Sequence, residues 1–299
     1  MTFKTLVKRA LLGSACALLC ATLVRYSVAT ESIPIGRSSF EFVDQLGNPN
    51  KPITVWTYAP QKLRASSPIV FVMHGTRRNG REYRDQWVDH ADKRGFLLVV
   101  PEFAAQDYGS EAYQRGNMFD DEGRPIDASK WTFMAIEHLF DHVKEMSGNT
   151  SQRYYLYGHS AGGQFVQRLV LFLPEARFRR AIAANPGWYT MPDMETAFPY
   201  GLQKSTANET TLKSSFTNPF VLMLGDQDVN RDDPNLRKSP EADAQGANRF
   251  ERGKAYFQQA KKLAGDLGAN FAWKQQTVRG AAHSDKQMSK AATAAMFAR

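Results

Sequence analysis

One serine, one histidine and one of two aspartates are the residues of this 299-residue chain whose types and order are suited to acyl transfer. Ser160 is the centre of Gly158-His-Ser-Ala-Gly162, between the apolar run YYLY and the helical pattern QFVQRLVLFL. G-x-S-x-G at a strand-to-helix junction lifts a serine hydroxyl out of a sharp turn. The two glycines remove side chains that would collide there. A serine that merely caps the helix would occupy the same position, so the partners further along the chain decide between the two.

A serine hydroxyl is a weak nucleophile without a base beside it. Of six histidines, only His283 follows Ser160, in VRGAAHSD after a predicted strand. His74 and His159 belong to turn motifs, and His90, His138 and His142 lie in helical patterns. An acid is needed to orient the base, and PFVLMLGDQD supplies Asp226 and Asp228 just past Gly225. Asp228 is preferred and Asp226 remains the alternative. Oxyanion stabilisation takes two backbone donors. Ala161 N–H, next to the serine, is one. The loop HGTRRNG offers Thr76 N–H as the other, with Gly75 allowing close approach and His74 bracing the loop.

The elements that must hold these residues follow from hydrophobic pattern. PIVFVMH (68–74), FLLVVPEF (96–103), RYYLYG (153–158), RRAIAAN (179–185), PFVLMLG (219–225) and FAWKQQTV (271–278) read as strands, most of them apolar throughout. Central strands covered on both faces look like this. Between them, EYRDQWVDHADKRG, WTFMAIEHLFDHVKEMSG, AGGQFVQRLVLFLPEA and ANRFERGKAYFQQAKKLAGDLG space their apolar residues at three and four, as helices do. Alternation of this kind implies a parallel sheet with helices on both faces. SFEFVDQ and ITVWTYA are expected to form an antiparallel hairpin leading into it. The long connections 104–129 and 186–217 both follow strand C-terminal ends, where open α/β sheets bind ligands. Residues 186–217 read as a small cap, with Trp188, Tyr189, Phe198 and Tyr200 as candidate substrate-binding residues. Arg115 and Asn117 are candidates for contacting a polar substrate.

The N-terminus stands apart. Lys4, Lys8 and Arg9 precede a 15-residue apolar run, and Ser27 and Ala29 follow at small positions, the order of a secretory signal. Residues 1–29 are expected to direct export and be cleaved, leaving 30–299 as one catalytic domain in the periplasm or outside the cell. The alternative is a membrane anchor over residues 10–24, and a membrane is a partner only in that case. Both cysteines, Cys16 and Cys20, lie in this segment, so the cleaved chain has neither a disulfide nor a thiol nucleophile. The formal charge of +8 falls by the four cations Lys4, Lys8, Arg9 and Arg25, to about +4. RRNGR (77–81) reads as a solvated loop, and no basic stripe with aromatics points to nucleic acid. In DQDVNRDD the residues Asp226, Asp228 and Asn230 alternate as in a calcium loop. Arg231 and Arg237 stand where such a loop needs glycine and glutamate, and no metal or other cofactor is expected.

With these motifs assembled, the chain resembles the α/β-hydrolases. Within them it is similar to the secreted polyhydroxybutyrate-depolymerase and feruloyl-esterase group. VFVMHGTRRNGREY…ADKRGFLLVVPEF, YYLYGHSAGGQF, GDQD and GAAH carry the resemblance, over roughly residues 68–290. It implies an α/β-hydrolase fold with a mostly parallel central sheet. It also implies hydrolysis of small-molecule or polymeric esters, with Ser160, Asp228 and His283 as triad and Thr76 and Ala161 as oxyanion donors. The chain departs from the group in lacking cysteines after cleavage, and its HGT carries one glycine where other esterases have HGGG. A serine peptidase or an acyltransferase on the same fold is the nearest alternative, and a non-catalytic binding protein is a further one.

Overall fold

A computed structural model describes residues 32–298, and the expected signal or anchor lies outside them. Eight strands and eight α-helices are described. In chain order they are β1 (Gly36–Phe42), β2 (Ile53–Ala59), β3 (Ile69–Met73), α1 (Gly80–Arg94), β4 (Leu97–Glu102), α2 (Ser110–Gln114), α3 (Met134–Ser147), β5 (Tyr154–His159), α4 (Ala161–Phe172), β6 (Phe178–Ala184), α5 (Glu209–Thr217), β7 (Phe220–Gly225), α6 (Pro240–Ala244), α7 (Arg249–Asp266), β8 (Lys274–Val278) and α8 (Asp285–Met296). The strands form one sheet in the order β1-β2-β4-β3-β5-β6-β7-β8. β1, β2 and β4 pair antiparallel, and every other pairing is parallel. Among the described residues no helix is long and apolar enough to cross a membrane.

Alternate residues of the central strands feed two cores. Phe71, Leu97, Val99, Leu156 and Leu222 face one side, where Leu139 of α3, Phe165 of α4 and Tyr256 of α7 cover them. Val70, Val72, Leu98, Tyr157 and Met223 face the other, under Trp87 of α1 and Met288, Ala292 and Met296 of α8. Burial on both faces is why these strands read as unbroken apolar runs. β8, at the sheet edge, is instead half exposed and polar (KQQTV), which discourages pairing with a further strand.

The strands differ from expectation at their edges. β8 starts at Lys274 and not at Phe271, because Trp273 turns into the core and its indole N–H donates to the Ser215 carbonyl at 2.9 Å. β1 runs three residues earlier than expected. Asp44 ends it by turning inward to accept from the Gly47 N–H and contact His138 at 2.8 Å. The expected cap, 186–217, contains α5. That helix sends Leu212 and Phe216 into the main core, so only the earlier part of the segment borders the serine.

Candidate active site

β5 runs directly into α4 through Ser160, whose backbone sits at φ 57°, ψ −114°. A non-glycine residue adopts this conformation only when its surroundings impose it. Here a Cβ on Gly158 would collide with the backbone of Gly162, and one on Gly162 with the carbonyl of Met73. The turn is therefore packed against β3 with no room for side chains at either flank. Ser160 accordingly stands at the C-terminal edge of the sheet and at the N-terminus of α4.

His283 reaches Ser160 from the loop after β8. Its Nε2 lies 2.9 Å from Ser160 Oγ and its Nδ1 2.7 Å from Asp228 Oδ2. Asp228 follows β7 and is 2% exposed. Asp226 serves a different purpose, accepting the Gly280 N–H at 2.7 Å and so closing the turn that leads to the histidine. The Gln227 N–H donates to the Ala281 carbonyl at 2.9 Å, which ties the aspartate loop to the histidine loop.

Two residues without a role in the sequence reading complete this frame. Asn185, at the end of β6, accepts the Gly225 N–H at 2.8 Å and donates to the Ala282 carbonyl at 3.1 Å, joining three loops. Arg249, at the start of α7, is 1% exposed. Its Nη1 lies 3.4 Å from Asp228 Oδ1 and 2.8 Å from Asp233 Oδ2. The Asn-Pro step after a strand was a faint signal for Asn185; a lone arginine on a helical pattern gave none for Arg249.

Thr76 and Ala161 both line the pocket at the serine, and each has a backbone amide to offer. Neither amide has a backbone or side-chain acceptor among the described residues. A Cβ on Gly75 would come 3.7 Å from Ser160 Cβ, a measure of how near this loop passes. His74 braces it from within. The Phe103 N–H donates to its Nε2 at 3.0 Å, and its Nδ1 lies 2.9 Å from the Gly75 carbonyl. Burial pulls its imidazole down to about 3, so it stays neutral. His159 is likewise buried. Desolvation holds it well below the ordinary imidazole range, and the charges of His283 and Arg249 push the same way. Its ring lies 4.8 Å from that of His283.

Two cavities meet at Ser160. One of about 400 Å³ is bordered by His283, Glu82 and Lys286, and one of about 150 Å³ by Gln164, Trp188, Arg115 and Arg237. A third, of about 520 Å³, adjoins at Arg115 and is lined by Phe119, Asn117 and Phe198. The four expected aromatics divide among these surroundings. Trp188 borders the serine pocket, and Tyr200 packs against it at 4.7 Å. Phe198 packs on Phe119 and Phe172 in the adjoining cavity. Tyr189 does not line the site: it is fully buried and stacked on Tyr256 at 4.6 Å, so its expected contact with substrate is corrected. Consecutive loop residues point opposite ways, and the second enters the core. Among the described residues, no group of three or more potential ligands could hold a metal.

An eight-stranded, mostly parallel sheet with helices on both faces and a serine at the β5–α4 turn defines the α/β-hydrolase class, and the chain belongs to that superfamily. It is 38% identical to poly(aspartic acid) hydrolase-1 from Sphingomonas sp. KT-1, over 89% of this chain and 100% of that one, with a TM-score of 0.86. It is 36% identical to LpqC, a poly(3-hydroxybutyrate) depolymerase from Bordetella parapertussis, over 88% and 90% of the two chains, with a TM-score of 0.84. A stretch of 158 residues is 24% identical to feruloyl esterase B from Talaromyces funiculosus; it spans 52% of this chain but only 41% of that enzyme. No family model matches the chain.

Proposed function

We propose that the protein is an exported serine hydrolase of carboxylic esters, acting through Ser160, His283 and Asp228. The observation that carries this is the unbroken hydrogen-bonded line from Ser160 Oγ through His283 to Asp228, at 2.9 and 2.7 Å. In this reading His283 Nε2 takes the Ser160 proton as Oγ attacks the ester carbonyl. The tetrahedral oxyanion accepts from Thr76 and Ala161 N–H, donors that typically contribute about 3 kcal/mol each. His283 then gives the proton to the departing alcohol, and water repeats the sequence on the acyl-enzyme. Asp228 accepts from His283 Nδ1–H, fixing the tautomer and balancing the imidazolium. Similarity to a depolymerase and an esterase supports the ester class. The order of charged, apolar and small residues in 1–29 supports export with cleavage, leaving 30–299 as the catalytic domain, with the part of residues 186–217 that precedes α5 as its cap.

A second reading, attack on the linkages of an aspartic acid polymer, is favoured by the 38% identity to the hydrolase named for that polymer. Release of new amino groups, with shortening of the chain, from poly(aspartic acid) separates it from ester cleavage. The proposal is tested by intact-mass labelling with a fluorophosphonate beside a 4-nitrophenyl ester assay. One adduct on the wild-type chain and none on Ser160→Ala is expected, with turnover lost in the variant. Ester turnover that persists in Ser160→Ala would sink it.

A further inference from the structure

Three arginines gather on one side of the serine. Arg115 and Arg237 border the 150 Å³ cavity beside Ser160, and no acidic residue lines it. Arg168 is fully buried, with its guanidinium 4.2 Å from the centre of the Trp188 ring; Arg237 lies 5.1 Å from the same ring. Among the described residues neither Arg168 nor Arg237 forms an ion pair. Arg168 makes hydrogen bonds only to neutral groups, with Nε donating to Thr190 Oγ1 at 2.8 Å and Nη1 to the Gln114 and Gln164 carbonyls. Its Nη2 is buried without a partner. Arg237 Nε donates to the Tyr200 hydroxyl, again a neutral group. Only Arg115 has a carboxylate, that of Glu111 one turn earlier, which is largely exposed.

Arg237 is exposed and Arg115 half-buried, but Arg168 is buried without a counter-charge, which is costly. Burial lowers Arg168 to about 9 and Arg115 to about 10; Arg115 and Arg237 push the first the same way, and Arg237 the second. A fold keeps such an arrangement where an anion completes it, and guanidinium forks match carboxylates. The proton economy says which part of the substrate lies here. His283 must protonate the leaving oxygen, and His283 borders the 400 Å³ cleft but not the arginine cavity. The leaving alcohol therefore occupies the cleft, and the acyl part enters between Trp188 and the arginines.

We propose that this cavity is a carboxylate subsite, in which Arg115 and Arg237 hold an acidic group carried by the acyl part of the substrate. Arg168 lies outside the cavity wall and positions Trp188 while adding its charge. The preferred substrates are esters of short dicarboxylic acids or of acidic acyl chains. The inference rests on the serine-hydrolase reading above and deepens it.

The test compares 4-nitrophenyl hydrogen glutarate with its neutral methyl ester on the full chain, as the ratio of their kcat/KM values. The wild type should favour the acidic ester roughly tenfold or more, as loss of a hydrogen bond to a charged group is worth about that. Added salt should shrink the preference. Arg237→Gln and Arg115→Gln should bring the ratio down to about one, and Arg237→Lys should restore part of it. A wild-type ratio at or below one, or a ratio unchanged in both glutamine variants, overturns the subsite while leaving the esterase reading standing. If neither ester turns over and Ser160 takes no fluorophosphonate, the esterase reading fails instead. Calorimetric binding of glutarate then still decides the subsite: binding that is weakened tenfold in Arg237→Gln supports it, and no binding to the wild type overturns it.

Discussion

The carboxylate of Asp228 and the guanidinium of Arg249 lie 3.4 Å apart, with side-chain exposures of 2% and 1%. The shorter contact of Arg249 is with Asp233, at 2.8 Å, so the cation is anchored to one acid while its charge faces the other. Asp228 turns its second oxygen to His283. Arg249→Met leaves a buried carboxylate without its counter-charge, which typically costs about 3–5 kcal/mol. The variant should melt well below wild type and lose kcat more than it raises KM, while Arg249→Lys recovers part of both. An Arg249→Met enzyme with wild-type kcat and melting temperature would show that the pair neither holds the fold nor the aspartate.

Ser160 offers a separation of stability from activity. Its φ of 57° and ψ of −114° suit glycine and strain every other residue. Such strain is worth about 1–3 kcal/mol, against about 0.4–1 kcal/mol of extra unfolded-chain entropy for glycine. Ser160→Gly should therefore be about 1 kcal/mol more stable than Ser160→Ala, a rise of roughly 2–4 °C in melting temperature. Both should be inactive if Ser160 is the nucleophile. Equal melting temperatures would mean that the turn is not strained.

The central strands were legible because burial on both faces writes an unbroken apolar run, as in IVFVM of β3. His283 was legible by elimination, as the only histidine after Ser160. Other features depend on tertiary contacts that local pattern does not carry. α8 is not legible in the sequence because its large apolar residues are few, with Met288 and Met296 separated by Ala292, and the rest is alanine and polar residues. Arg249 sits in a helix rich in exposed lysines, and only the packing of β7 against α7 turns it inward. Trp188 and Tyr189 are neighbours in a loop without periodicity, so nothing local assigns one to the pocket and the other to the core.

Asp285 gives a pH signature of its own. It is buried between Tyr157, whose hydroxyl donates at 2.7 Å, and the indole N–H of Trp87 at 3.2 Å. Burial pushes its carboxyl up to about 6, against which the two hydrogen bonds only partly act. A raised folded value means the protonated form is favoured by folding. The contribution is whole below the ordinary carboxylate range near 4 and is lost as pH rises through 6. The shift corresponds to roughly 3 kcal/mol. Denaturant unfolding of wild type and Asp285→Asn at pH 4 and pH 7 should show the variant gaining about that much relative to wild type at the higher pH. A difference independent of pH would mean that Asp285 titrates normally.

Tyr189 is the sharpest check on which aromatics meet substrate. Its ring stacks on Tyr256, and its hydroxyl is buried with no hydrogen-bond partner among the described residues. A buried hydroxyl without a partner costs about 1–3 kcal/mol. Removing it in Tyr189→Phe keeps the stacking and should leave the protein as stable or about 1 kcal/mol more so, with kcat/KM within about twofold of wild type. Trp188→Ala, one residue earlier, removes the indole that borders Ser160 and lies between 4 and 6 Å of two guanidinium groups. It should cut kcat/KM about tenfold or more, chiefly through KM, since a large contact surface is lost at the acyl side. The opposite ranking, with Tyr189→Phe impairing turnover and Trp188→Ala tolerated, would place the substrate on the far side of this loop.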